Sequence, residues 1–110
     1  MIDDSTARIA QLNDDLRQTF QGGQVCMTRG VQALGAERVQ RVVTTVRAFS
    51  DFTEDNDPYG ERDFGSFAID GESLFWKIDY YDTTMTKGSE NPADSHRTTR
   101  VLTILLACEY

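Results

Sequence analysis

The fold is decided by residues 64–81, which read FGSFAIDGESLFWKIDYY. Apolar residues alternate on both sides of Asp70-Gly71, a dipeptide that is typical of a two-residue hairpin turn. The second strand divides its side chains between a core face and a partly wet face: Leu74, Trp76, Ile78 and Tyr80 on the first, Phe75, Lys77, Asp79 and Tyr81 on the second. The pattern predicts an antiparallel hairpin that packs one face against the core.

Two apolar stripes with helical spacing precede the hairpin. The first lies between residues 4 and 21 and the second between residues 36 and 51, and they consist of Ile9, Leu12, Leu16 and Phe20, and of Val39, Val42, Val43, Val46 and Phe49. Spacings of three and four residues predict amphipathic helices in both places. Gly22-Gly23 is a suitable end for the first helix, since glycine accepts the left-handed conformation there.

The remaining segments predict two more strands and a long loop. Gln24 to Thr28 alternates like a short strand, and a short connection through Gly30-Val31 follows. Arg100 to Cys108 is apolar on both faces, which favours a central strand. The polar stretch from Thr83 to Thr98 predicts a functional or mobile loop. Together these elements predict an α+β fold in a single domain over residues 1–110, with a mainly antiparallel sheet of three to four strands and two helices packed on one face.

The negative charge of the chain is concentrated in one segment. The formal charge is −7 for 110 residues, but Asp51 to Asp82 holds ten acids and two bases, a net of −8, and the remainder holds eight acids and nine bases, a net of +1. Such a field opposes direct binding to nucleic acid and attracts a basic protein surface. The alternative interpretation is a solvated face that keeps the protein soluble.

The ends of the chain and its cysteines predict a cytoplasmic location. Met1 is followed by Ile-Asp-Asp-Ser rather than by a basic stretch and an apolar run, and the longest apolar stretch is far too short for a membrane span. Cys26 and Cys108 have neither metal-binding nor redox spacing, so we expect two free, buried thiols in a reducing compartment. We expect no membrane association.

Two motifs inside the acidic segment carry the densest functional pattern, NDPYGERDFG at residues 56–65 and WKIDYYD at residues 76–82. The predicted hairpin can bring them close together. Rigid aromatic side chains among carboxylates are typical of a protein-binding surface. The predicted partner-binding residues are therefore Asp57, Tyr59, Glu61, Asp63, Asp79, Tyr81 and Asp82. Trp76 and Tyr80 are more typical of the core face.

A divalent-metal site is the alternative interpretation of the same acids. Carboxylate oxygens suit Mg²⁺ or Mn²⁺, and the candidate ligands of a small metal-dependent hydrolase are Asp57, Glu61, Asp63, Asp79 and Asp82. The run contains no histidine and does not match the EF-hand spacing, so we expect no metal and no cofactor. His96 is the only histidine and is expected to be a solvated loop residue. We assign no catalytic residue.

The sequence resembles a family of small bacterial proteins known only as a domain of unknown function. The matching motifs are Asn13-Asp14, Leu16-Arg17, Gly22-Gly23, Thr28, Gly30-Val31, the two central motifs, and Thr99 to Ile104. The family pattern has histidine where this chain has Arg62, so any role of that histidine is lost here. The resemblance implies plasmid or other mobile-element contexts and no established activity.

These observations favour a non-enzymatic interaction module that binds a partner with a basic surface. The sharpest version is an inhibitor of a nucleic-acid-handling enzyme, of the anti-restriction or anti-CRISPR kind, which mimics the charge of DNA. A homodimer is also possible, because the short strand at Val25 to Thr28 can leave an open sheet edge.

Overall fold

The computed structural model of this protein describes residues 4–110. Its elements follow the predicted order of helix, short strand, helix, hairpin, long loop and strand. Their bounds are α1 Asp4–Thr19, β1 Gln24–Met27, α2 Arg29–Gln32, α3 Ala36–Ala48, β2 Phe64–Ile69, β3 Glu72–Tyr81, β4 Thr99–Leu106 and a 3-10 helix Ala107–Glu109.

The four strands form one mixed sheet in the order β1-β4-β3-β2. The β2–β3 and β3–β4 pairs are antiparallel, and β1 runs parallel to β4. Strand β4 therefore lies inside the sheet, as its two apolar faces predict, and β1 and β2 form the edges. The predicted α+β fold with a mainly antiparallel sheet is confirmed.

The hairpin turn has the geometry that its sequence predicts. Asp70 and Gly71 both have positive φ, 51° and 81°, which is the signature of a two-residue type I′ turn. The turn places Ile69 opposite Glu72 and fixes the register of the pair. Because a side chain moves to the other face with each one-residue slip, this turn determines which residues enter the core.

The core lies between one face of the sheet and the helices. Trp76 is fully buried in the cluster of side chains that forms this core, and its ring packs edge-on against those of Phe49 and Phe52, at 5.5 and 6.1 Å between centres. The buried members are Leu16 of α1, Val31 of α2, Val42 and Val46 of α3, and Ile69, Leu74, Ile78, Leu102 and Ile104 of the sheet. All of the sheet residues share one face, so the helices cover that face, as predicted.

Several element ends differ from the sequence prediction. Helix α1 ends at Thr19 rather than near residue 21, because Phe20 takes a left-handed conformation with φ 59°. Helix α3 ends at Ala48 rather than at residue 51, because Phe49 is extended, with ψ 131°. The predicted connection through Gly30-Val31 is the short helix α2, whose first turn is capped by the Thr28 hydroxyl accepting from the amide of Val31.

The prediction of buried cysteines is wrong. Cys26 and Cys108 are both free, as expected, but both are exposed. Cys26 alternates with Val25 and Met27 along β1, and those two neighbours pack against the core. Its thiol therefore lies on the sheet face that the helices leave uncovered. Cys108 lies beyond the end of β4, in the 3-10 helix. Within residues 4–110, no helix is long and apolar enough to span a membrane.

Candidate functional site

The turn that precedes β2 is held by its own side chains. The Asn56 amide donates to the carbonyl of Asp51 at 2.7 Å, and its oxygen accepts from the amide of Thr53 at 2.7 Å. The Asp57 carboxylate accepts from the amide of Arg62 at 3.0 Å and closes the next loop of chain. The first of the two acidic motifs is therefore an ordered turn with fixed charge positions.

Arg62 has a left-handed backbone, with φ 55°, which is unusual for a residue with a long side chain. This conformation directs its guanidinium across the turn toward α1. There Nη1 lies 2.8 Å from Oδ2 of Asp14, and Cζ lies 5.3 Å from the centre of the Phe52 ring. Arg62 occupies the position where the family pattern has histidine. Its charge is paired with Asp14 of α1 rather than with the acids of its own turn.

A buried polar network links the turn to α1 and to two strands. Asn13 is fully buried, and its Nδ2 donates to the Tyr80 hydroxyl at 2.8 Å and to the Glu61 carbonyl at 3.0 Å. The Tyr80 hydroxyl donates to the Glu61 carboxylate at 2.8 Å, and Arg100 Nε donates to Asn13 Oδ1 at 2.9 Å. Arg100 also donates to the Pro92 carbonyl. Each member of this network has a partner on another element.

Burial sets the protonation of this network. It raises the pKa of Tyr80 well above its ordinary value, and the Glu61 carboxylate that accepts from the hydroxyl raises it further. Burial also lowers the pKa of Arg100, whose guanidinium lies over the Tyr80 ring with Cζ 5.2 Å from its centre. Tyr80 therefore keeps its proton at neutral pH and acts as a donor to Glu61.

Arg17 is a second buried cation and joins α1 to the end of α3. Only 1% of its surface is exposed. Its Nη1 donates to the carbonyls of Val46 and Phe49 at 3.1 and 2.7 Å, and its Nη2 lies 3.0 Å from Asp14. A cation at the carboxyl end of a helix satisfies its last carbonyls and favours the helix dipole. Asp14 thus bridges Arg17 and Arg62.

Four carboxylates of the acidic segment interact around Asp63. The amide of Ile78 donates to the Asp63 carbonyl at 2.8 Å, which joins the two acidic motifs as the hairpin predicts. Partial burial raises the pKa of Asp63, and repulsion from Glu61, Asp57 and Asp79 raises it further. We call these four residues the acidic cluster: Asp57, Glu61, Asp63 and Asp79.

The two bases of the acidic segment do not pair with Asp63. Lys77 Nζ lies 2.8 Å from Asp79, and this hydrogen bond raises the pKa of Lys77. Arg62 pairs with Asp14, as described above. Lys77 offsets part of the charge of Asp79, but neither cation pairs with Asp63, Glu61 or Asp57, so the repulsion among these three acids remains.

The remaining predicted site residues lie at different distances from the acidic cluster. Tyr59 belongs to the same turn and is 81% exposed. Tyr81 is half-buried on the sheet face opposite the core. Asp82 lies beyond the end of β3, where its Oδ1 accepts from the amide of Thr86 and the hydroxyl of Thr84, both at 3.0 Å. These hydrogen bonds lower the pKa of Asp82, so it belongs to the loop rather than to the cluster.

The acids do not assemble into a metal site in the described part of the chain. Among residues 4–110, no group of three or more His, Cys, Asp or Glu side chains is placed so that it can hold a metal ion. The geometry thus gives the metal-dependent hydrolase hypothesis no support. His96 is exposed in the loop, as expected.

The loop from residue 83 to residue 98 is anchored at several points. The Thr98 hydroxyl donates to the Asn91 carbonyl at 2.9 Å and lies 2.7 Å from that of Ser89. The amide of Ser89 donates to the Tyr80 carbonyl at 3.0 Å. The loop is therefore fastened to the end of the hairpin and to the Arg100 network through Pro92.

Sequence reasoning missed the buried polar residues Asn13, Arg17 and Arg100. A signal was available for the first two, because Asn13 is four residues from Ile9 and Arg17 four residues from Asn13, on the buried stripe of α1. Arg100 alternates with Leu102 and Ile104, which are on the core face of β4. Polar residues at core positions predict buried hydrogen bonds.

The fold and the site define a small α+β protein with an internally paired polar network and an acidic outer surface. Residues 27–109 match the family model "Protein of unknown function (DUF3768)", and the chain belongs to that family. The predicted resemblance to a domain of unknown function is thereby confirmed. No curated protein and no solved structure matches the chain.

Proposed function

We propose that this protein is a non-enzymatic interaction module whose acidic cluster binds a basic surface of a partner protein. The observation that carries the proposal is the repulsion of Asp63 by Glu61, Asp57 and Asp79, which no base relieves at Asp63 itself, since Arg62 pairs with Asp14 and Lys77 pairs with Asp79. Crowded like charges cost stability, and a Lys or Arg side chain from a partner relieves that cost on binding.

Tyr59 supports the same proposal. It is 81% exposed, in an ordered turn next to the acidic cluster. An exposed tyrosine offers a rigid, amphipathic anchor at a small entropic cost, and aromatic residues are enriched at protein interfaces. A fixed aromatic residue beside fixed carboxylates suits a basic protein surface better than it suits a solvated face.

The narrower proposal is that the partner handles nucleic acid. Enzymes of that kind present basic surfaces to phosphates, and a segment with a net charge of −8 can occupy such a surface in their place. Duplex DNA should then compete with this protein for the partner, and the competition should weaken as salt is added. A partner that binds DNA and this protein simultaneously would contradict the narrower proposal and leave the broader one intact.

Charge reversal with a matched control tests the broader proposal. The test variant carries Asp63→Lys and Asp79→Lys, and the control carries Asp15→Lys and Glu90→Lys at exposed positions outside the cluster. Each pair of substitutions adds four units of positive charge, so both variants have a formal net charge of −3 instead of −7. A partner is captured by cross-linking in a cell lysate, purified, and titrated with each variant after circular dichroism has confirmed folding.

We expect the cluster variant to lose about tenfold or more in affinity, since facing charges at an interface contribute about 1.5 kcal/mol or more per close pair. The control should lose much less, because it changes only the long-range field. Equal losses in the two variants would show that net charge, rather than the acidic cluster, attracts the partner. Failure to capture any partner would count against the interaction module itself.

A further inference from the structure

Strand β2 lies at the edge of the sheet, and half of its backbone groups point away from its one neighbour, β3. Beside the two-residue turn, Ile69 lies opposite Glu72, and such a pair exchanges both backbone hydrogen bonds. Every second residue along the strand repeats this arrangement, as the bond from the Ile78 amide to the Asp63 carbonyl shows at the far end. The residues whose amides and carbonyls point outward are therefore Phe64, Ser66 and Ala68.

The sequence of β2 has none of the features that usually protect a sheet edge. Phe64–Ile69 reads FGSFAI, with no charged residue, no proline and no break in its register with β3. Among residues 4–110, no turn, loop or second strand supplies a backbone partner for the outward groups. Natural sheets protect such edges with charges, proline, bulges or very short strands. The opposite edge, β1, has only four residues, so β2 is the edge more open to pairing with another strand.

A second copy of β2 matches this edge in one register. An antiparallel copy centred on Ser66 places Phe64 opposite Ala68 of the second copy and the two Ser66 residues opposite each other. Every outward-pointing residue then faces another, and each such pair exchanges two backbone hydrogen bonds. A shift by two residues instead places one of them opposite Arg62 or Asp70, whose φ angles of 55° and 51° lie outside the strand conformation. The ends of the strand therefore select the register centred on Ser66.

The side chains of β2 are also complementary in size in this register. Phe64 faces the small Ala68 of the second copy, and Phe67 faces Gly65 of the second copy on the other side of the sheet. Cross-strand neighbours lie about 4.5–5.5 Å apart, and an aromatic ring compensates for the missing side chain of a glycine at a sheet edge. Each large residue thus meets a small one. This match belongs to the sequence of the strand itself and favours a second copy over an unrelated strand.

The charges at the two ends of β2 favour the antiparallel direction. The acidic cluster lies at the start of the strand, where Asp63 precedes Phe64. At the other end, Asp70 is paired with Arg38 and Arg41, at 3.3 and 2.9 Å. Antiparallel pairing sets the acidic cluster of each copy toward this arginine-containing end of the other, whereas parallel pairing would set the two clusters side by side.

We propose that the β2 strands of two copies of this chain pair antiparallel about Ser66 and form a two-fold dimer. The dimer has one continuous sheet of eight strands, four from each copy, and the helices of both copies lie on the same face of it. Pairing removes the β2 edge from both copies. The inference goes beyond the proposed function and does not depend on it, because it uses the edge of the sheet.

Sedimentation equilibrium of the full chain over a range of concentrations measures the dimer directly. Ser66→Lys is the test variant, because it sets two ammonium groups opposite each other at the two-fold axis. Ser95→Lys, in the loop, is the matched control: both serines are exposed, and each substitution changes the formal net charge from −7 to −6. We expect the chain to dimerise reversibly and Ser66→Lys to raise the dissociation constant by about tenfold or more, since like charges facing each other at an interface oppose association. The control should change it much less.

A cross-link tests the register and does not depend on the folding of Ser66→Lys. The exposed thiols are first removed by Cys26→Ser and Cys108→Ser. In that background, Ser66→Cys should form a covalent dimer with a short bismaleimide reagent, because the two positions face each other across the axis. Ser95→Cys in the same background should not.

Three outcomes would overturn the inference. A chain that stays monomeric at every concentration measured would show that β2 does not pair with a second copy. A dimer that persists in Ser66→Lys, with no cross-link through Ser66→Cys, would place the contact on another surface, such as the β1 edge. Equal effects of Ser66→Lys and Ser95→Lys would show that association depends on net charge rather than on the strand.

Discussion

Glu61 and Asp63 are two residues apart and both belong to the acidic cluster, yet only the Glu61 carboxylate is also held in the buried polar network. The Glu61 carboxylate accepts from the Tyr80 hydroxyl at 2.8 Å, in a network where Asn13 and Arg100 are also paired. The Asp63 carboxylate is repelled by Glu61, Asp57 and Asp79, and neither nearby base pairs with it, since Arg62 bonds Asp14 and Lys77 bonds Asp79. One short turn therefore contributes to a network that stabilises the fold and to a cluster that destabilises it.

The difference separates structural charges from candidate binding charges. Buried polar groups with complete hydrogen bonding specify how the elements pack, and removing one member leaves its partners unsatisfied. Repulsion between neighbouring like charges, as at Asp63, instead reduces stability. Local features that oppose stability are expected at functional sites, which is why the repulsion at Asp63, rather than the hydrogen bonds of the network, supports the proposed function.

The largest loss of stability is expected when Arg17, the buried cation that joins α1 to the end of α3, is removed. Arg17→Ala should destabilise the fold by about 3–5 kcal/mol, because it leaves the last carbonyls of α3 without their donor and leaves Asp14 with Arg62 as its one remaining charge partner. Chemical denaturation followed by circular dichroism measures the change. Arg8→Ala on the same helix is the matched control, since Arg8 is exposed. A loss below about 1 kcal/mol for Arg17→Ala would show that the inner charges do not support the fold.

A smaller effect is expected when the network loses one hydroxyl. Tyr80→Phe keeps the ring and removes the group that joins Asn13 to the Glu61 carboxylate, at an expected cost of about 1–2 kcal/mol. Tyr81→Phe is the control, because Tyr81 occupies the next position of β3 and lies on the sheet face opposite the core. Equal effects of the two substitutions in denaturation would mean that the Tyr80 hydroxyl has no special role.

The hairpin could be predicted in detail because its signals are local. Asp70-Gly71 specifies the turn, and the alternation around it assigns each face, including Trp76 to the core. The buried network could not be predicted as a network, because Asn13 and Arg100 are 87 residues apart and periodicity does not identify a partner. Their positions on buried stripes did indicate burial.

The error about Cys26 has a different origin. It came from the general preference of free cysteine for the interior rather than from the position of the residue in its strand. Cys26 lies between Val25 and Met27, whose side chains pack against the core. Because successive side chains of a strand point to opposite faces, the Cys26 side chain must point away from the core. In a sheet with helices on only one face, that alternation predicts exposure.

The smallest expected change in stability is a gain rather than a loss. Asp63→Asn should stabilise the protein at pH 7, because it removes a carboxylate whose charged form is disfavoured by burial and by its acidic neighbours. We expect a rise of about 1–3 °C in Tm, less than a full kcal/mol would give, since Asp63 is partly exposed and solvent screens the repulsion. Asp55→Asn, at an exposed position of the same segment, should change Tm less.

The pH dependence of this gain follows from the direction of the pKa shift. Asp63 has a pKa above its ordinary value of 3.8 in the folded protein, so the folded state binds its proton more tightly than the unfolded state does. Its cost is therefore absent below about pH 3.8, grows as the pH rises through the folded pKa, and is complete above it. The advantage of Asp63→Asn should be smaller at pH 4 than at pH 7, and smaller again in high salt. An unchanged or lowered Tm at pH 7 would show that Asp63 is stabilised in place, and the acidic cluster would then resemble the inner network rather than oppose it.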